Sequence, residues 1–143
     1  MNRTQEREQA FIILFDKAFH PELLDEEILA MAVESEFVRP NAFTEEILQA
    51  VSDNNLLIDQ TIRDVAVGWS LNRMTKVSLA ILRLAVAEIL FRDDIPASVS
   101  INEAVELAKK YAGKEDSAFI NGILGTIARN AENSSAEPDG ESE

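Results

Sequence analysis

The chain has 143 residues, 46% of them hydrophobic, and a formal net charge of −13. That length suits one domain with a real core. The absence of cysteine excludes disulfides, thiolate metal sites and a cysteine nucleophile, and no run reaches the roughly 18 apolar residues of a membrane span.

Almost every segment carries the spacing of a helix. Thr4 is expected to cap a first helix running to about Phe19, with Ala10, Phe11, Leu14, Phe15 and Ala18 as its apolar stripe. Pro21 breaks it, and a second helix follows over about 22–36, with Asp25, Glu26 and Glu27 in its first turn. Thr44 is expected to cap a third helix, stapled by Phe43 and Leu48. After "SDNN", a fourth carries Ile58, Ile62, Val65 and Trp69 on one face. The fifth, "KVSLAILRLAVAEILF" after Thr75, is apolar nearly all round and reads as a central buried helix. Ser100 and Glu103 form an S-x-x-E capping box at the start of the sixth, and Gly113 sits where a C′ glycine belongs. Asp116 or Ser117 is expected to cap the last helix, ending near Asn130. The acidic stretch 131–143 has no hydrophobic periodicity and is expected to be disordered. No segment reads as a strand, so the fold class is all-α.

The acidity is unevenly spread. Residues 20–64 carry −9 and residues 131–143 carry −5, whereas residues 65–92 carry +3 through Arg73, Lys76, Arg83 and Arg92 against Glu88. His20, the one histidine, stands before a proline and reads as a surface loop residue. With no second histidine and no glycine-rich phosphate loop, there is no triad or metal site to propose. The chain reads as a binding protein without a cofactor, not an enzyme. Arg3 and Arg7 are one turn apart on the first helix, Arg73 and Lys76 precede the apolar helix, and Lys109 and Lys110 follow Glu106.

The stretch "FINGIL" raises a separate question. Its apolar residues follow a helical stripe, yet Gly122 lies in mid-helix, where glycine costs about 1 kcal/mol relative to alanine. Either Gly122 admits a neighbouring helix and Asn121 bonds across the contact, or the pair faces a ligand, with Phe119 stacking on an unpaired base.

The segments "ILRLAVAEILF", "IPASVSINEAVELAKKYAG" and "FINGIL", supported by "WSLNRM" and "REQAFIILF", resemble the NusB family of bacterial transcription antitermination factors over about residues 3–130. The resemblance implies about seven helices in two packed three-helix subdomains, with residues 1–130 as the RNA- and protein-binding domain. It implies pairing with NusE, a ribosomal protein, binding of boxA RNA during ribosomal RNA transcription, and work in an antitermination complex on RNA polymerase in the cytoplasm. By resemblance the RNA residues are Arg3, Arg7, Phe119 and Asn121, with Phe119 and Asn121 on the same side as the arginine segment. Arg73 and Lys76 join them on charge. Phe15 matches an aromatic position facing the protein partner. Thr4 and Gln5 stand where many members carry further basic residues, and Ala87 replaces a common aromatic. A helical protein-interaction module or homodimer without appreciable RNA binding stays open as the alternative.

Overall fold

A computed structural model describes residues 1–136. Seven α-helices and one 3₁₀ turn follow in order: α1 Arg3–Phe19, α2 Asp25–Glu34, α3 Ala42–Asp53, α4 Asn55–Val65, the 3₁₀ turn Leu71–Arg73, α5 Lys76–Phe91, α6 Ala97–Tyr111 and α7 Lys114–Ala136. There is no strand among the described residues. None of these helices is long and apolar enough to cross a membrane.

Helix α1 packs on α2 and α3, and α5 packs on α6 and α7, giving two three-helix groups. Helix α4 lies against α5 and α7, and α5 also packs on α1 and α3. The sequence dictates that central place. Ala80, Ile81, Leu82, Leu84, Ala85, Val86 and Ala87 are all buried, so α5 offers apolar surface in every direction and is stable only when enclosed. Phe11, Ile28, Ile47, Ile58, Ile120 and Leu124 close around it.

The helix starts differ from those expected, for one recurring reason. Asn2, not Thr4, caps α1, in a reciprocal box with Gln5. The Thr4 hydroxyl instead donates to Glu103 across to α6. Asn41, not Thr44, caps α3, and the buried Thr44 donates to the carbonyl of Glu6. Helix α6 opens after Pro96, so Ser100 lies inside it and donates to Glu88. In each case a hydroxyl that fits a cap is used to join two helices. Thr75 does cap α5 as expected, accepting from the amide of Ser78.

Helix α4 ends at Val65, before Trp69. Helix α7 begins at Lys114, ahead of Asp116 and Ser117, directly after Gly113 at φ +116°. It continues past Asn130, the expected end, to Ala136. The remainder of the acidic stretch, 137–143, lies outside the described residues.

Candidate RNA and partner surface

The N-terminal arginines do not form the exposed pair that their spacing suggests. Arg7 is 3% exposed. Its Nε and Nη2 donate to the two oxygens of Glu88 at 2.8 and 3.0 Å. Ser100 adds a third bond to Glu88 at 2.8 Å, and Glu103 lies 3.8 Å from Arg7 Nη1. Arg7 is thus a buried structural cation joining α1, α5 and α6, not the exposed arginine that the RNA role implied by the resemblance calls for. A phosphate cannot reach it without dismantling this pair.

Arg3 remains exposed, but Glu6 holds its Nε at 3.2 Å and its guanidinium lies 4.2 Å above the Phe43 ring. Arg7 and Arg92 approach the same ring at 5.5 and 5.3 Å. Arg92 is itself paired to Glu46 and Asp94. The Asp94 pair raises the Arg92 pKa and holds the Asp94 carboxyl below its usual range. This end of the molecule therefore matches three arginines with five acids. It is a satisfied ionic cluster rather than a cationic patch.

A second ionic tie lies further along α1. Glu8 accepts from Lys110 Nζ at 2.6 Å and from the Tyr111 hydroxyl. The Lys110 bond, then the Tyr111 bond, lowers the Glu8 pKa, and Glu8 raises that of Lys110. Burial, then the same bond, raises that of Tyr111. Lys109 pairs with Glu106, as its position suggests.

The start of α5 is different. Arg73 and Lys76 are exposed, and no acid pairs with either among the described residues. Aromatic rings lie beside Lys76. Lys76 Nζ lies 5.4 Å from the Phe19 ring, Phe19 meets Phe15 edge-on at 5.1 Å, and Phe15 stacks on Phe11 at 5.8 Å. Phe15 is only partly buried. On the other side, Phe119 packs against Trp69 at 5.4 Å, and Ser78 ties α5 to Asp116 of α7 at 3.3 Å.

Phe119 and the arginine segment are therefore anchored to different ends of α5. Ser78 and Glu88 are ten residues apart on that helix, which is about 15 Å. Within α7, Ile120, Ile123, Leu124 and Ile127 face the core. Phe119 and Asn121 lie on opposite flanks, about 200° apart around the helix axis. Between them, on the outer ridge, sits exposed Gly122. A Cβ built there meets nothing within 4 Å, so close helix packing is not what keeps the side chain away. Exposed Asn121 makes no cross-helix bond among those described. Residue 122 therefore offers a bare strip of backbone between an aromatic flank and an amide flank. His20 is a surface residue, 3.9 Å from Asp16 and 3.8 Å from Glu22.

The NusB family model matches residues 4–129. The transcription antitermination protein NusB of Agathobacter rectalis is 44% identical over 136 residues, covering 90% of this chain and all of its own length. That of Ruminiclostridium cellulolyticum is 40% identical and covers 90% of both chains. Among solved structures, T. maritima NusB superposes with a TM-score of 0.80 at 34% identity, covering 90% of this chain and 92% of its own. A chain from the crystal structure of antitermination factors NusB and NusE in complex with dsRNA shares the fold. Its TM-score is 0.80 at 24% identity, over 91% of this chain and 99% of that one.

Proposed function

Because the chain belongs to the NusB family, whose relatives are transcription antitermination proteins rather than enzymes, we propose that it works by pairing with NusE and holding boxA RNA of ribosomal RNA transcripts in an antitermination complex on RNA polymerase. The observation that carries the RNA half of this reading is the cationic and aromatic surface at the start of α5. There Arg73 and Lys76 stand free of acidic partners among the described residues, beside the flank of α7 that carries Phe119. Phosphates are neutralised by cations not already committed to carboxylates. Unpaired bases stack on exposed rings. An RNA strand crossing the outer ridge of α7 passes from Phe119 to Asn121 over Gly122, where no side chain obstructs it.

Phe15 is the residue proposed to face NusE. Its neighbour Phe19 carries Phe15 on one side and Lys76 on another, so a protein seated on Phe15 adjoins the RNA surface. That adjacency lets the partner and this chain contact one RNA together. The occurrence of a chain of this fold in a complex of NusB and NusE with RNA gives the reading its form. The joint substitution Arg73→Ala and Lys76→Ala tests it, in a salt titration of boxA RNA binding with NusE present. Two lost phosphate contacts should flatten the log–log slope by about 1.4. Arg3→Ala should change it less, because Glu6 already neutralises Arg3. Adding NusE to the parent should tighten RNA binding at least tenfold, about 1.4 kcal/mol of coupling. An unchanged slope places the phosphate path elsewhere, and equal affinity with and without NusE defeats the partner-dependent reading.

A further inference from the structure

The segment between α4 and α5 holds a feature that the RNA residues above do not absorb. Trp69 is 51% exposed, although it is the largest side chain in the protein. It does not drift. Its amide donates to the carbonyl of Ala66 at 3.0 Å, and the amide of Val67 donates to Val65 at 2.9 Å. Between them, Gly68 takes φ +87°, a left-handed conformation that residues with a side chain rarely adopt. That turn carries the indole back onto Phe119, ring centroids 5.4 Å apart and planes inclined at 55°. A tight glycine turn thus fixes half-exposed aromatic surface in place. A core residue needs no such exposure, and a loop residue needs no such fixing.

The surroundings indicate what fits. Arg63, Trp69, Ser70 and Asn72 line an open hollow of about 490 Å³. Exposed Arg63 belongs to the lining and exposed Arg73 follows Asn72 in the chain, and neither is paired with an acid among the described residues. A half-exposed indole packed on a partly buried phenyl ring, an arginine in the lining, and a hydroxyl and an amide within the hollow match one chemistry. The rings suit the face of an unpaired base, the guanidiniums its phosphates, and Ser70 and Asn72 its edge.

We propose that Trp69 and Phe119 form a two-ring platform that stacks an unpaired base of single-stranded RNA, with Arg63 and Arg73 on the flanking phosphates. This rests on the RNA-binding reading above and adds to it a second stacking residue and a preference for single over double strands. A base paired in a duplex presents no free face to the indole.

Trp69 is the chain's single tryptophan, so its emission reports this site alone. The experiment uses the full chain with a tryptophan-free NusE, and titrates boxA-like single-stranded RNA and the same RNA annealed to its complement. The single strand should quench Trp69 emission with the same midpoint as a mobility shift, and the duplex should quench it far less. Trp69→Ala should weaken single-strand binding about 5- to 150-fold, the loss of one stacked base. Trp69→Phe, which keeps a ring, should restore most of that affinity, and circular dichroism checks that both variants fold. RNA binding with unchanged emission and parental affinity in Trp69→Ala overturns the platform and leaves the RNA reading standing. An absence of RNA binding overturns both. Emission that responds to NusE alone, with no further change on adding RNA, assigns the surface to the protein partner and overturns the platform.

Discussion

Replacing Arg7 with alanine isolates the buried pair between α1 and α5. Glu88 is 1% exposed and accepts three hydrogen bonds, two from Arg7 and one from Ser100. Arg7→Ala leaves Glu88 Oε1 with Ser100 and removes the donor from Oε2. The carboxylate stays buried without a hydrogen-bonded counter-charge, and Arg92, the cation that still couples to it, is already paired with Glu46 and Asp94. Breaking a buried pair from one side costs about 3–5 kcal/mol. For a chain of this size a loss of 1 kcal/mol lowers Tm by roughly 3–4 °C, so Tm should fall by about 10–20 °C. Removing both partners is a different perturbation. Arg7→Met with Glu88→Leu exchanges the ions for apolar bulk, and its main cost is the Ser100 hydroxyl left without its acceptor, about 1 kcal/mol. The double variant should therefore be more stable than Arg7→Ala alone. Urea denaturation of the parent, both single variants and the double variant closes the cycle. An Arg7→Ala protein within about 1 kcal/mol of the parent would refute the argument. So would single-variant losses that simply add in the double variant, because a coupled pair cannot behave that way.

Two further outcomes follow from the same contacts. Glu8 has its folded pKa depressed below 4.5, first by Lys110 and then by Tyr111. The unfolded chain therefore takes up this proton first as pH falls, and the stability the tie contributes is full above about pH 4.5 and lost below it. Glu8→Gln should remove that part of the acid limb, so that the gap in urea midpoint between parent and variant narrows as pH falls below about 4.5; a constant difference between them at every pH speaks against the tie. Gly122→Ala should stabilise α7 by about 0.5–1 kcal/mol, since the site is helical and open, while weakening RNA binding in the NusE complex. A Tm that falls would contradict the open geometry, and unchanged RNA affinity would remove the strand from this ridge.

The helical class, the number of helices and the central place of α5 were legible because periodicity reports burial directly. Helix starts were less legible. Thr4, Thr44 and Ser100 satisfy the local pattern of a cap, and only the neighbouring helix shows that their hydroxyls serve a tertiary bond. The burial of Arg7 did leave a trace. Arg7 stands four residues before Phe11 and seven before Leu14, on the stripe that faces the core, and Glu88 is a lone acid in an otherwise apolar helix end. Two opposite charges at buried positions of separate helices must find each other. The spacing of Arg3 and Arg7 hid this, since one turn apart also describes two surface arginines. The spacing puts Trp69 at the end of the α4 stripe, although Gly68 immediately before it marks the break. Phe119, Asn121 and Gly122 could be singled out from sequence, but their division between two flanks and a bare ridge required the orientation of α7.

The position of α5 also sets a schedule for biosynthesis. Helices α1 and α3 owe much of their enclosure to α5, and Arg7 has no strong counter-charge until Glu88 exists. When Asp53 at the end of α3 has been joined to the nascent chain, Phe91 at the end of α5 is still 38 residues away. At about 5–20 residues per second, translation takes roughly 2–8 s to cover that distance. Throughout that interval the first three helices can only collapse against one another, their apolar faces available to chaperones. A ribosome stalled before residue 91 would hold a protease-sensitive N-terminal half, and protection should appear in a single step once α5 clears the exit tunnel.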